Sequence, residues 1–345
     1  MKMPFSLGLR SSRRPGLALL SVAGGETEPK NGVAEVVFLN AGNHPVRCPL
    51  CLSTGQQTLF RHKNKGLNRC PACGGSYVVP QPTPRDVAVH FQNDHHAIQP
   101  QLIQDDLRRR FERNRERVLA RVAKQIQHRR ERGKILDVGC ATGLFLARFF
   151  PASCWQNWAV ELSARKAQAA AQRGIRVHAG DIHQAKFEER SFDVITVLDA
   201  FYYFPDPQAE LKEFHRLLRN EGLLVLELPW AGSRIWRRSS MLRWLLRDGR
   251  VPLLESSDHL FYYTPQSISR LLDRCGFQMR AILPLPGNRQ ETIFRDFLCR
   301  VYSFFSALVH TLSRSKYFLG PRFLVVAEKP PAGSSSASLS ALLQT

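Results

Sequence analysis

The chain has 345 residues, 43% of them hydrophobic, which is too long for one minimal domain and ample for a sizeable core. Lys and Arg number 49 against 29 Asp and Glu, a formal charge of +20 that favours anionic partners without choosing among nucleic acid, an acidic membrane surface and a phosphorylated substrate. No apolar run is long enough to span a bilayer, since the longest, from Phe297, is interrupted by Arg300 and His310.

Residues 1–40 read as a flexible leader. Arg13 and Arg14 precede a short apolar patch there and imitate a secretory or twin-arginine signal, but the patch lacks a clear A-x-A end. Residues 41–84 hold two C-x-x-C pairs, Cys48 with Cys51 and Cys70 with Cys73, and close in the stiff stretch PQPTP. Four thiolates in two knuckles form the tetrahedral soft-donor set that Zn²⁺ prefers. All four positions are filled by protein, so the spacing predicts a zinc ribbon with a structural metal. A redox dithiol would leave the second pair unexplained. The remaining cysteines, Cys140, Cys154, Cys275 and Cys299, read as buried thiols of a reducing compartment.

Residues 85–133 read as a helical linker or lid. Leu107, Phe111, Val118, Val122 and Ile126 make a stripe that predicts a long helix over 105–130. Its Arg-rich remainder could track phosphates, but Glu112 and Glu116 stand at pairing distance from Arg neighbours, so a solvated face is the preferred account. His90, His95 and His96 could approach a substrate from this lid, and they are poorly spaced for a metal.

From Lys134 the pattern alternates. KILDVGC, NWAVEL, IRVHAGD, FDVITVLDA and GLLVLELP read as strands. GLFLARFF, SARKAQAAAQRG and PQAELKEFHRLLRN read as helices, with His215 solvated on the last. TPQSISRLLDRCGF predicts a helix capped by Thr264 with Pro265 at its first position. RFLVVAEK is a closing strand. The expected fold is α/β: a doubly wound, Rossmann-like sheet of seven strands over 134–330, with helices on both faces. Within it, residues 231–258 form a cap insertion, where Trp236 and Trp244, with Trp230 just before it, stand among arginines. Such a stretch suits an ordinary cap, an acceptor cover or an anionic membrane surface. Residues 331–345 are a Ser-rich tail.

The segment ILDVGCATGLF joins strand to helix through small residues. Gly139 and Gly143 let a backbone pass close to a bound molecule, and Asp137 ends the strand. The spacing D-x-G-x-A-x-G is neither the dinucleotide G-x-G-x-x-G nor a P-loop. Glu161 at the end of the next strand can accept from both hydroxyls of a ribose, and Asp181 after the third can accept from an adenine amino group. Three acids at three strand ends describe a nucleoside site with no pyrophosphate cradle.

ILDVGCATGLFL, AVELS, AGDI, FDVITVLDAFYYFPDP and LKEFHRLLRNEGLLVLELP resemble, in order, the motifs of class I S-adenosylmethionine-dependent methyltransferases. The resemblance covers residues 134–230 and is extended by HLFYYTPQSISRLLDRCGF. It implies that Asp137, Gly139, Cys140, Ala141 and Gly143 surround the methionine part of the cofactor. It implies Glu161 and Leu162 at the ribose, Asp181 and Ile182 at the adenine, and Leu198 along the crevice. Ala141 departs from the usual glycine, a change small enough to leave the turn intact. The cysteine module resembles that of some ribosomal RNA guanine methyltransferases. It is closer to a group of bacterial methyltransferases with a four-Cys ribbon ahead of the catalytic domain, whose acceptors are often sugars or lipid-linked and nucleotide-linked glycans.

Methyl transfer to a hydroxyl or amine needs alignment, exclusion of water and a base near the acceptor proton. Asp199, Tyr203 and His259 are the candidates; His259 matches a frequent histidine of the family and could equally be structural. LDAFYYF lacks the Asn/Asp-Pro-Pro-Tyr/Phe of amino-methylating adenine enzymes. The expected activity is methyl transfer to a small-molecule, sugar or lipid-linked acceptor, through a hydroxyl. The alternatives are an RNA methyltransferase that uses the ribbon and basic helix, or a non-catalytic cofactor-binding scaffold. The cofactor places the chain in the cytoplasm, with peripheral contact at the inner membrane face left open.

Overall fold

The computed structural model describes residues 47–62, 65–92, 105–229, 259–285 and 322–331. The leader, His95, His96, the whole cap insertion and residues 332–345 of the tail lie outside the described residues, as does the side chain of His90.

Two sheets organise the chain. The small one holds β1 (Gln57–His62), β2 (Lys65–Arg69) and β3 (Ser76–Val79) as an antiparallel meander. Its fourth strand, β9 (Phe261–Tyr262), comes from far along the chain and pairs antiparallel with β3, Ser76 opposite Tyr262 and Tyr77 opposite Phe261. Helix α1 (Pro84–Gln92) follows β3.

The large sheet has seven strands in the order β10-β11-β8-β7-β4-β5-β6. These are β4 (Gly133–Val138), β5 (Trp155–Glu161), β6 (Arg176–Ala179), β7 (Phe192–Leu198), β8 (Leu218–Pro229), β10 (Gln278–Leu285) and β11 (Arg322–Glu328). Antiparallel pairing to both neighbours makes β11 the exception in an otherwise parallel sheet. The chain runs outward from β4 through β5 to β6, then returns to place β7 on the other side of β4. That reversal opens a crevice at the carboxyl end of β4, where doubly wound sheets take ligands.

Helices cover both faces. On one side lie α2 (Asp105–Gln127), α3 (Leu144–Phe149) and α4 (Ala164–Ala171). On the other lie α5 (Pro207–Leu217), α6 (Pro265–Arg274) and the small sheet. The period-2 rule is visible in β11: Phe323, Val325 and Ala327 join the second core, and Leu324 and Val326 the first. Val118, Val122 and Ile126 of the expected stripe are buried under α2.

Cys48, Leu50, Cys70, Cys73 and Tyr77 share one hydrophobic cluster with Phe261, Tyr263 and Ile268. The cysteine segment and the large domain therefore have a common core. Among the described residues, no helix is long and apolar enough to cross a membrane.

Local chemistry fixes the boundaries. Thr264 caps α6 with a reciprocal box to Ser267, and Pro265 opens the helix, as the sequence predicts. Ser163 caps α4 and Asp206 caps α5. The α5 helix is shorter than expected: it stops at Leu217, and Leu218 already pairs with Phe192 in the β7–β8 ladder. Burial of Leu218 in the sheet outweighs continuation of the helix. His215 is also not simply solvated. It is half-buried, its ring stands edge-on to Phe277 at 5.3 Å, and burial pushes its pKa down.

Candidate functional site

The first three parallel strand ends converge as the sequence predicts. Asp137 lies opposite Ala159 of β5 and Thr196 of β7, with 3% of its surface exposed. Its Oδ1 accepts from Thr196 Oγ1 at 2.6 Å. Burial pushes its carboxyl up to about 7, against the opposing pull of that hydrogen bond and of Arg115.

The turn after β4 is held by backbone bonds. Gly139 N donates to Val160 O at 2.9 Å and Gly143 N to Cys140 O at 2.9 Å. Gly139, Ala141 and Gly143 all have positive φ, of 76, 50 and 73 degrees. For Ala141 this is the left-handed region, which carries a penalty on the order of 1 kcal/mol relative to glycine. The alanine is thus tolerated at a cost that its size alone did not suggest. Gly143 also serves packing: a Cβ there would stand 2.5 Å from Ile175 Cδ1 and 2.9 Å from Ala170 Cβ. Gly139 remains exposed at the crevice rim, facing Ala200. Cys140 is buried, and burial raises its thiol well above the ordinary range, so it is an inert wall.

Glu161 is the keystone of this edge. Its Oε2 accepts from Ala141 N at 2.8 Å and its Oε1 from Ser163 N at 3.0 Å, joining the glycine turn to the start of α4. A carboxylate offers about four acceptor positions, so capacity remains for two hydroxyls. Leu162 is half-buried beside it, and Leu198 is 8% exposed at the end of β7. Asp181 follows β6, and its Oδ1 accepts from His183 N at 2.7 Å. Ile182 is buried. His183 in turn meets Glu210 of α5 at 3.3 Å, which pins this loop to the helix layer. Burial raises Glu210 to about 7. The crevice is thus lined by acceptors. S-adenosylmethionine presents a cation, an ammonium, hydroxyls and an amino group, so this acceptor set matches it.

The three candidate bases meet around Tyr202, a residue the sequence reading passed over although FYYF contains it. Phe201–Tyr203 form a single 3-10 turn after β7. The Tyr202 and His259 rings lie 3.9 Å apart between centroids, and Tyr203 stands edge-on to His259 at 5.4 Å. Tyr202 donates to Asp199 Oδ1 at 2.7 Å. Asp199 Oδ2 pairs with Arg322 at 2.8 Å. Arg322 also donates to Glu227 Oε1 at 2.7 Å, and Arg115 of α2 grips both Glu227 oxygens at 2.7 and 2.6 Å. Glu227 is fully buried, so this chain of charges is bonded throughout.

Burial alone would raise Asp199, but Arg322 and Arg115 hold it at about 2. A carboxylate that acidic is a weak base at neutral pH. Arg115, expected on a solvated face, is spent here. Glu116 pairs with Arg148 of α3 at 3.1 Å. The side chain of Glu112 lies outside the described residues.

The four cysteines also come together. Their sulfurs all lie within 4.8 Å of one another, with Cys48 to Cys73 at 3.9 Å and Cys51 to Cys70 at 3.6 Å. Tetrahedral Zn–S bonds of about 2.3 Å put sulfurs about 3.8 Å apart, so the set fits that ion. Each pair sits on a matching turn: Leu52 N donates to Cys48 O, and Gly74 N to Cys70 O, both at 2.8 Å. Contact with Cys73 lowers Cys48 to about 5 and raises Cys73.

Cavities of about 560 and 340 Å³ lie at the opposite, amino-terminal edge of the large sheet, bordered by Arg190, Lys212 and Lys329 and by Lys134, Asp193 and Arg219 respectively. They are remote from the carboxyl-edge crevice, whose chemistry is more informative than cavity size.

A family model described as a methyltransferase domain matches residues 106–282, more than half of the chain. Two curated relatives are demethylmenaquinone methyltransferases. That of Thermotoga maritima is 46% identical over 50 residues, 14% of this chain and 22% of the relative. That of a Mycobacterium species is 26% identical over 151 residues, 43% of this chain and 64% of the relative. The chain therefore spans less than two thirds of the length of either. Similar solved structures include a SAM-dependent methyltransferase of Thermotoga maritima, at 18% identity and a TM-score of 0.43, covering 65% of this chain and 95% of that one. Another is the S-adenosylmethionine-dependent methyltransferase of Mesorhizobium loti, at 18% identity and a TM-score of 0.41, covering 57% of this chain and 90% of that one.

Proposed function

Because this chain belongs to the methyltransferase-domain family, its catalytic unit being an S-adenosylmethionine-dependent methyltransferase, we propose that it methylates a hydroxyl of a small-molecule, sugar or lipid-linked acceptor. The observation that carries the reading is the meeting of two different surfaces at one sheet edge. One is an acceptor-only crevice of Asp137, Glu161 and Asp181. The other is a His–Tyr wall of His259, Tyr202 and Tyr203. The names of the curated relatives support a small-molecule acceptor.

S-adenosylmethionine, when bound, supplies an electrophilic methyl group on a cationic sulfur. Glu161 and Leu162 would hold the ribose, Asp181 and Ile182 the adenine. Asp137, Gly139, Cys140, Ala141 and Gly143 would frame the methionine part, with Leu198 closing the crevice floor. His259 is the best placed of the three candidates to take the acceptor proton at an imidazole nitrogen. Asp199 is too acidic for that role and instead orients the Tyr202 hydroxyl. Tyr203 lines the wall, and Phe91 of α1 packs on its ring at 4.9 Å, helping exclude water. The four cysteines hold one structural Zn²⁺. The chain works in the cytoplasm, where its cofactor is made available.

The test is transfer of tritiated methyl from S-adenosylmethionine into fractionated cell extract. Label in a small-molecule or glycolipid fraction supports the reading. Label in RNA establishes the alternative, in which the basic excess serves a nucleic acid. Absence of label together with retained cofactor binding establishes a scaffold.

A further inference from the structure

Thr264 stands between the cysteine centre and the catalytic wall. Its hydroxyl donates to Cys73 O at 2.9 Å and accepts from Ser267 N at 3.0 Å, so one side chain grips the second knuckle and caps α6. Two more bonds tie the same helix to the knuckles. Arg270 donates to Ala72 O at 2.7 Å, and Arg274 to Leu50 O at 3.3 Å. The fit is close: a Cβ on Gly75 would come within 2.5 Å of Leu50 Cδ1 and 3.0 Å of Ser267 Cβ.

The wall is attached at the other end of the same segment. Leu260, just before β9, accepts from Val78 N and donates its own amide to Tyr202 O, both at 3.0 Å. His259 and Tyr202 are therefore suspended from β3 by one residue. The cofactor acids are anchored elsewhere. The side chains of Asp137, Glu161 and Asp181 accept from Thr196, Ala141, Ser163 and His183, all within the parallel half of the large domain.

We infer that the four-cysteine centre positions the acceptor wall: closure of the two knuckles around a metal ion sets where Tyr202 and His259 stand, while the cofactor crevice forms without it. The inference rests on the zinc reading given above. Its cause is geometric. Cys73, Ala72 and Leu50 offer three carbonyls to α6 only while both knuckle turns are closed, and those turns are what a tetrathiolate site would lock. Thr264, Arg270 and Arg274 are then positioning residues that act through α6 and β9.

The experiment uses the full chain, with zinc measured by release on thiol modification. Hydrogen exchange is followed by mass spectrometry before and after stripping with a chelator, and S-adenosylhomocysteine binding is followed by calorimetry. We expect about one zinc per chain. Stripping should raise exchange about tenfold in residues 201–203 and 259–264 and leave residues 134–143 and 158–163 unchanged. Affinity for S-adenosylhomocysteine should shift by less than about threefold. Thr264→Val should reproduce the rise in exchange with zinc still bound, and Thr264→Ser should restore protection. Exchange confined to residues 47–79, or cofactor affinity collapsing with the metal, overturns the inference. Protein that neither holds nor takes up zinc overturns the zinc reading itself, and the inference with it.

Discussion

The cofactor crevice and the acceptor wall lie side by side, yet they are built differently. The crevice is assembled mostly from segments close in sequence, a strand, its turn and the next strand ends, with one longer bond from Thr196 to Asp137. Glu161 reaches back only to Ala141, and Asp181 only to His183. The wall draws on Arg115, Asp199, Tyr202, Glu227, His259 and Arg322, gathered from five separate stretches. The crevice is thus a local motif that travels with its strands, whereas the wall depends on the whole domain closing.

The largest effect should come from the wall's buried charges. Glu227→Ala leaves Arg115 without its bidentate partner and Arg322 with only Asp199, and should cost about 3–5 kcal/mol in urea unfolding. If the two regions are as independent as their construction suggests, the folded variant will still bind S-adenosylhomocysteine normally. A parallel loss of affinity would break the comparison. On the other side, Glu161→Ala removes the acceptor for two backbone amides and the proposed ribose ligand. Cofactor affinity should fall at least about a hundredfold, roughly 3 kcal/mol. The metal content should stay unchanged.

What could be read from the sequence follows the same division. The glycine turn, the three acids, the alternation of strands and helices, and the Thr264 cap are short-range patterns, and they stand where the residues predict. The charge network was illegible because nothing near Arg115 announces Glu227 or Arg322. β9 was illegible because two residues carry no periodicity; Phe261 and Tyr262 count as a strand only once β3 lies beside them. The role of Arg115 was misread because charge is local, but the neighbours that use it are not.

A smaller effect sharpens the electrostatics of the crevice. The Asp137 carboxyl is raised to about 7 in the folded chain from an ordinary value of 3.8. Its contribution is therefore intact below about pH 4 and is lost as pH climbs through 7. Asp137→Asn abolishes that loss while still accepting from Thr196. The variant should gain on the order of 2 kcal/mol over the native chain at pH 8, with little difference at pH 4, in thermal melts across that range. It should bind S-adenosylmethionine more weakly, which would show that the crevice trades stability for charge.

The smallest effect belongs to the turn itself. Ala141→Gly relieves a left-handed alanine and should stabilise by about 0.5 kcal/mol after the entropy of the extra glycine is subtracted. Cofactor affinity should stay within about twofold, as calorimetry would show.

The two residues of β9 also set a timetable. On a ribosome, β3 emerges with one edge bare, and its cover is encoded only at Phe261 and Tyr262. At about 5–20 residues per second, that edge waits roughly ten to forty seconds. A strand edge left open for so long invites pairing with another chain. The newborn protein thus passes through an interval in which the N-terminal sheet is formed but unsealed, and chaperone demand should concentrate there.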